Sequence, residues 1–138
     1  MPVLLGLDLG EKRVGVARSD ETETIAEATA SLTFKGREDL LRQLAELVQR
    51  FRSEKIIVGF PLTLKGETGP AAQKVLDWVE WLKVRLRGEW ILWDERLTTV
   101  EAERVLLEAD LSRKKRRGFR DQLAAQRILQ SYLDAQHK

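Results

Sequence analysis

Two periods alternate along the chain. Residues 3–9 (VLLGLDL) form an apolar, strand-like run interrupted by one aspartate, and residues 13–18 (RVGVAR) alternate, with Val14 and Val16 on one face. The turn-forming Gly10-Glu11-Lys12 between them predicts a hairpin. A weaker third strand is predicted over 25–32 (IAEATASL). After Gly36 the period becomes helical: Leu40, Leu41, Leu44, Leu47, Val48 and Phe51 share one face, with Glu38 and Asp39 in the favourable first turn. The run 55–60 (KIIVGF) predicts a buried strand closed by Gly59 and Pro61, and 63–69 (TLKGETG) a loop. Pro70 suits the first position of a second helix, whose stripe is Val75, Trp78, Val79, Leu82 and Leu86. Residues 89–94 (EWILWD) predict another strand. Thr98 with Glu101 matches a capping box that opens a helix to about residue 109, with Val105, Leu106 and Ala109 facing inward. Ala124, Ala125, Ile128, Leu129 and Tyr132 mark a last helix.

The predicted order is β-β-β-α-β-α-β-α-α. A leading hairpin followed by alternating strands and helices points to an α/β architecture, a mixed sheet flanked by helices. With 138 residues and neither internal repeat nor low-complexity linker, a single domain over 1–138 is expected. No apolar run of about 18 residues predicts a membrane span. The start, MPVLLGLDLG, lacks a basic leader and a small-residue cleavage site, so a cytoplasmic protein is expected.

Composition then narrows the chemistry. There is no cysteine, which excludes disulfides, thiolate nucleophiles and Cys-type zinc sites. The one histidine is His137, so an internal catalytic histidine is excluded and carboxylates become the main candidates. The net charge of +2 is unevenly spread. Residues 112–120 (SRKKRRGFR) hold six cations and no acid, and the other 18 cations face 22 acids. This basic block, with Arg113, Lys114, Lys115, Arg116 and Arg117 at its heart, is expected to be a mobile clamp on a nucleic-acid backbone. A helical continuation with solvated charges is the rival picture.

Three acidic positions carry the candidate chemistry. Asp8 interrupts an apolar strand at its C-terminal end, where a buried carboxylate needs a partner or a metal. The alternative is a bond to the adjacent turn. Asp94 and Glu95 end the predicted strand after WILW, and neighbouring strand residues face opposite ways, so only one can share Asp8's face. Periodicity alone does not choose between them. Asp121 stands at the expected start of the last helix, where an N-cap role is the alternative. Such oxygen donors suit Mg²⁺ or Mn²⁺. Two such ions about 4 Å apart can activate water and stabilise the leaving oxygen of a phosphodiester.

Four segments carry a resemblance. GLDLGEKRVGVARSD (6–20), IIVGFPLTLKGETG (56–69), DERLTTVEA (94–102) and DQLAAQRIL (121–129) resemble, in order, the motifs of the YqgF (RuvX) family of pre-16S rRNA nucleases, also described as Holliday-junction-resolvase-like. The resemblance runs from Val3 to about Leu133. GLDLG alone is shared with sugar kinases and actin-like ATPases, whereas DERLTT after VGFPLTLKG is far more specific. The resemblance implies an RNase H-like fold and a nuclease that processes the 5′ end of pre-16S rRNA in ribosome biogenesis. It implies a metal-dependent acidic site at Asp8, Asp121 and the Asp94-Glu95 pair, of which Glu95 is favoured. Lys12 and Arg13 match a basic pair that approaches phosphate, and Arg96 and Thr98 are candidate substrate contacts.

The expected partner is nucleic acid, structured RNA or branched DNA, with the protein a monomer or weak homodimer. A junction resolvase is the alternative within the same chemistry and calls for a two-fold dimer. Trp81, which falls off its helix stripe, is the candidate interface residue. An actin-like ATPase would need a second such domain, and a non-catalytic RNA-binding assembly module would leave the acidic set without a purpose.

Overall fold

The computed structural model describes residues 3–97 and 113–137, the side chains of Leu97 and of residues 113–119 excepted. Strands β1 (Leu5–Leu9), β2 (Arg13–Ser19) and β3 (Ala26–Thr33) form an antiparallel meander. Helix α1 (Arg37–Phe51) leads to β4 (Lys55–Phe60), and α2 (Pro70–Lys83) leads to β5 (Glu89–Asp94). A 3-10 turn at Glu95–Leu97 follows, and the last helix, α3, spans Arg113–Gln136. The sheet order is β3-β2-β1-β4-β5, with β4 parallel to both β1 and β5. No helix among the described residues is long and apolar enough to cross a membrane.

Strand alternation sorts the side chains into two layers. Leu5 and Leu7 of β1, Val14 and Val16 of β2, and Ile56 and Val58 of β4 pack against α1 and α2 through Leu40, Leu44, Val79 and Leu82. The opposite face, with Leu4, Ala17 and Ile57, packs against α3 through Ala125, Ile128, Leu129 and Leu133. Because apolar residues line both faces, β4 reads as an unbroken hydrophobic run.

The α3 face of the sheet is floored by glycine where the helix comes closest. A Cβ built on Gly15 would lie 1.8 Å from the Asp121 carbonyl oxygen, and one on Gly6 2.7 Å from Leu129 Cβ. Only glycine lets the α3 backbone rest on β2 in this way.

The sheet and the first two helices follow the predicted pattern within a residue or two. The helix expected from Thr98 lies outside the described residues. The last helix is a correction: it begins at Arg113, so the basic block is helical rather than a loop. The backbone thus takes the rival form, a helical continuation. Arg and Lys are good helix formers, and the block contains no breaker before Gly118, which a helix tolerates at modest cost. Asp121 is therefore about two turns inside α3 and is no N-cap.

Replacing Gly15 with alanine forces α3 away from β2. Gly15→Ala is expected to destabilise the fold by roughly 2–3 kcal/mol or more, the cost of strong overpacking. Urea unfolding monitored by circular dichroism measures this, and a loss below about 0.5 kcal/mol would show that the helix can shift freely.

Candidate active site

Asp8 and Glu95 meet on the α3 side of the sheet. In β1, Leu5 and Leu7 face α1 and α2, so Asp8 faces α3, directly across from Gly15 in the β1–β2 register. In β5, Trp90 and Leu92 belong to the α1–α2 side and Ile91 and Trp93 to the α3 side. Asp94 therefore falls on the α1–α2 side, opposite Phe60 of β4. The strand then gives way to the 3-10 turn, and Glu95 comes over Gly59. A Cβ on Gly59 would lie 2.4 Å from Glu95 Oε1 and 2.4 Å from Ile128 Cδ1, so this second glycine makes the space that the carboxylate occupies.

The Glu95 carboxyl is pushed up to about 7. Burial is the largest cause, and the Asp8 charge and a hydrogen bond to Asp8 add to it. The nearby Arg127 cation of α3 opposes the shift, and Asp94 contributes weakly to it. Near neutral pH the two carboxyl groups thus share a proton, with the protonated form of Glu95 donating to Asp8.

Asp94 is occupied elsewhere. Arg96 grips it with Nε at 3.0 Å and Nη2 at 2.6 Å, and the Arg96 backbone N–H donates to it at 2.9 Å. The Arg96 hydrogen bond holds the Asp94 carboxyl below its usual range. The Arg96 guanidinium also lies near Gly66 of the β4–α2 loop, 3.3 Å from where a Cβ would stand. Arg96 thus holds Asp94 at the rim of the site, with the β4–α2 loop close by.

Asp121 is engaged by partners of its own. Its Oδ2 takes a 2.9 Å ion pair from Arg13 Nε and a 3.0 Å hydrogen bond from the Ser31 hydroxyl. Among the described residues, no group of three Asp, Glu, His or Cys side chains is placed to hold a metal ion. Arg13 therefore serves as the counter-charge of Asp121, and Lys12 beside it is exposed. Thr98 lies outside the described residues, and so do the side chains of Arg113, Lys114, Lys115, Arg116 and Arg117.

Sequence reasoning missed Ser31, Arg127 and the two glycines that shape the site. Gly15 and Gly59, each set in an apolar strand, were the readable signal, since an interior strand glycine marks a close approach. Ser31 and Arg127 carried no such signal.

The Asp8–Glu95 pair fits a hard divalent cation. Both donors are carboxylates, the donor type that Mg²⁺ and Mn²⁺ prefer. Burial and the Asp8 charge both disfavour the ionised Glu95, and a bound cation would offset both.

Comparison with known proteins agrees with this architecture. The chain is similar to a Halothermothrix orenii protein named pre-16S rRNA nuclease, with 45% identity over 135 residues, 98% of this chain and 96% of that protein. A Syntrophomonas wolfei protein of the same name is 47% identical over 131 residues, 95% of this chain and 93% of that one. Among solved structures, Thermus thermophilus RuvC in complex with a Holliday junction substrate aligns with a TM-score of 0.60 at 16% identity, covering 99% of this chain and 96% of that one. The Fowlpox virus resolvase with Holliday junction DNA aligns with a TM-score of 0.60 at 14% identity, covering 99% of each chain. These likenesses show that the fold is the RNase H-like fold of the RuvC resolvases. Residues 2–135 match the family described as RuvX, Holliday junction resolvase, and the chain belongs to that family.

Proposed function

We propose that this protein is a divalent-metal-dependent nuclease that hydrolyses phosphodiester bonds in precursor 16S rRNA. The observation that carries this reading is the half-buried Asp8–Glu95 pair at the C-terminal end of the sheet, in a chain whose relatives are named for that substrate. Asp8 and Glu95 would hold the cation, Mg²⁺ or Mn²⁺, which supplies Lewis-acid stabilisation of charge on the phosphate and lowers the pKa of water. Asp8, on a central strand, fixes the position of the pair. Glu95 gives up its shared proton to become a full anion. Lys12, exposed at the β1–β2 turn, receives substrate phosphate, while Arg13 stays with Asp121. The family description favours one other substrate, the four-way DNA junction. Incubating the protein with precursor 16S rRNA and with a four-way junction, in Mg²⁺ and in Mn²⁺, tests the choice. Cleavage of the junction alone would overturn the RNA assignment.

The basic block adds affinity. Five cations in the first turns of α3 oppose that helix's dipole, and substrate phosphates supply the missing negative charge. Changing Arg113, Lys114, Lys115, Arg116 and Arg117 to Gln is expected to weaken substrate binding. The slope of log K against log salt should shrink by about 0.7–0.9 for each phosphate the block no longer neutralises. An unchanged slope in a filter-binding titration would remove the block from the interface.

Asp8→Asn and Glu95→Gln are each expected to lower the cleavage rate by about 10²–10³-fold or more, since each removes a charge from the cation's seat. Asp94→Asn acts only through Arg96 and should cost about tenfold or less. Single-turnover rates of the purified variants make the comparison, and a reversed order for Glu95 and Asp94 would assign the site to the wrong neighbour.

The pair also predicts a pH dependence of stability in the presence of chelator. The Glu95 carboxyl titrates near 7 in the fold, against an ordinary 4.5. Between these values the folded state keeps a proton that the unfolded state has lost, so stability falls as pH rises through the window. The contribution is complete below about 4.5 and gone above about 7. With solvent screening allowed for at a partly exposed site, it is of order 1–2 kcal/mol. Urea unfolding of wild type and Glu95→Gln across this range reads the difference, and parallel curves would refute the shared proton.

A further inference from the structure

One concentration of chemistry lies beside the site and extends away from it. A hollow of about 980 Å³ opens next to Asp121, between the β1–β2 turn and the β3–α1 junction. Lys12, Phe34 and Lys35 line it. Its two other acids are engaged: Glu11 pairs with Lys74 at 2.8 Å, and Asp39 pairs with Arg42 and accepts the Lys35 backbone N–H at 2.9 Å. Lys12 and Lys35 are exposed and make no ion pair among the described residues.

Phe34 connects this hollow to an aromatic row. Its ring meets Trp78 edge-on at 5.5 Å, and Trp78 meets Trp81 edge-on at 6.4 Å. The Arg37 guanidinium lies 6.0 Å from the Trp78 ring and 5.8 Å from the Trp81 ring. Arg85 lies 4.3 Å from the Trp81 ring. Both arginines are exposed, and neither makes an ion pair among the described residues. Trp81 falls off the apolar stripe of α2 and packs only partly against the core, which leaves ring surface to the two guanidinium groups.

We infer that this row is a track for a single-stranded segment of the polynucleotide substrate, running from the catalytic pair through the hollow and onto the α1–α2 face. The inference rests on the nuclease reading and names the form of substrate that the site takes. Phosphates find Lys12 and Lys35 in the hollow. Unpaired bases stack on guanidinium planes and aromatic rings, and Arg37 and Arg85, each backed by an indole, present such planes at the surface. A duplex keeps its bases inside and offers nothing to stack. Four exposed cations, none held in an ion pair among the described residues, match a polyanion better than an acidic-and-basic protein surface.

The test is binding of a fluorescein-labelled oligouridine to the full chain in chelator, where no cleavage occurs. Wild type is expected to bind it with quenching of indole fluorescence. Arg37→Ser with Arg85→Ser should weaken binding about tenfold or more, and the salt slope should fall by about 0.7 for each phosphate left without its cation. Trp81→Leu should lose affinity and much of the quench, and the doubly substituted arginine variant, altered only at exposed positions, guards against misfolding of Trp81→Leu. An RNA duplex of equal length should bind both variants as it binds wild type. Unchanged oligouridine affinity in both variants would overturn the track, and so would an equal loss for oligouridine and duplex, which would reduce the row to general charge. Failure of the track leaves the cleavage defect of Asp8→Asn in place. Failure of the nuclease assignment leaves the oligouridine affinities in place.

Discussion

The contact on which the rest of the site depends is the seating of α3 on strands stripped of side chains. With Asp121's backbone lying where a Gly15 Cβ would be, α3 approaches β2 as closely as its own main chain permits. That approach fixes three things at once. It brings the Asp121 carboxylate down to Arg13 and Ser31, sets Ile128 against Gly59, and places the Arg127 charge near Glu95. Bulkier strand residues would lift the helix and break the geometry of all three, because packed interiors respond to volume as rigid bodies.

Within that frame, the acidic pair is held at a cost to stability. Two carboxylates drawn together under partial burial cost the fold free energy whenever both are ionised. Gly59 opens the space for one of them, and β1 fixes the other. The strain is local because the neighbouring acids are neutralised separately: Asp94 by Arg96 and Asp121 by Arg13. Asp94 and Asp121 thus each have a cation of their own, while Asp8 and Glu95 face one another near Arg127.

How much of this was legible in the sequence differs by element. The bounds of β4 and β5 were readable because apolar runs there end on glycine, proline or acid. The start of α2 was readable from Pro70, whose fixed φ suits the first helical turn. The choice between Asp94 and Glu95 was not legible from periodicity, since the strand stops between them and the alternation rule lapses. Family resemblance favoured Glu95, and the structure places that residue with Asp8. The start of α3 was misjudged because a block of like charges reads as solvated chain. Helix propensity of Arg and Lys, together with docking of the downstream apolar stripe, outweighs their mutual repulsion. The Arg13–Asp121 pair spans the length of the chain, and nothing local in sequence announces it.

The stitching of α3 to the meander also has a consequence for the order of synthesis. Ala26 donates its backbone N–H to Gln130 across 104 positions, and Ser31 reaches Asp121 across 90. The β1–β2–β3 meander can pair as soon as it leaves the ribosome, through contacts of short range. The face that carries Asp8 stays open to water until the last helix has been made. A nascent chain therefore carries its first acid through the making of the whole sheet without the burial that raises Glu95, and the charge-tuned pair comes into being only once α3 has followed.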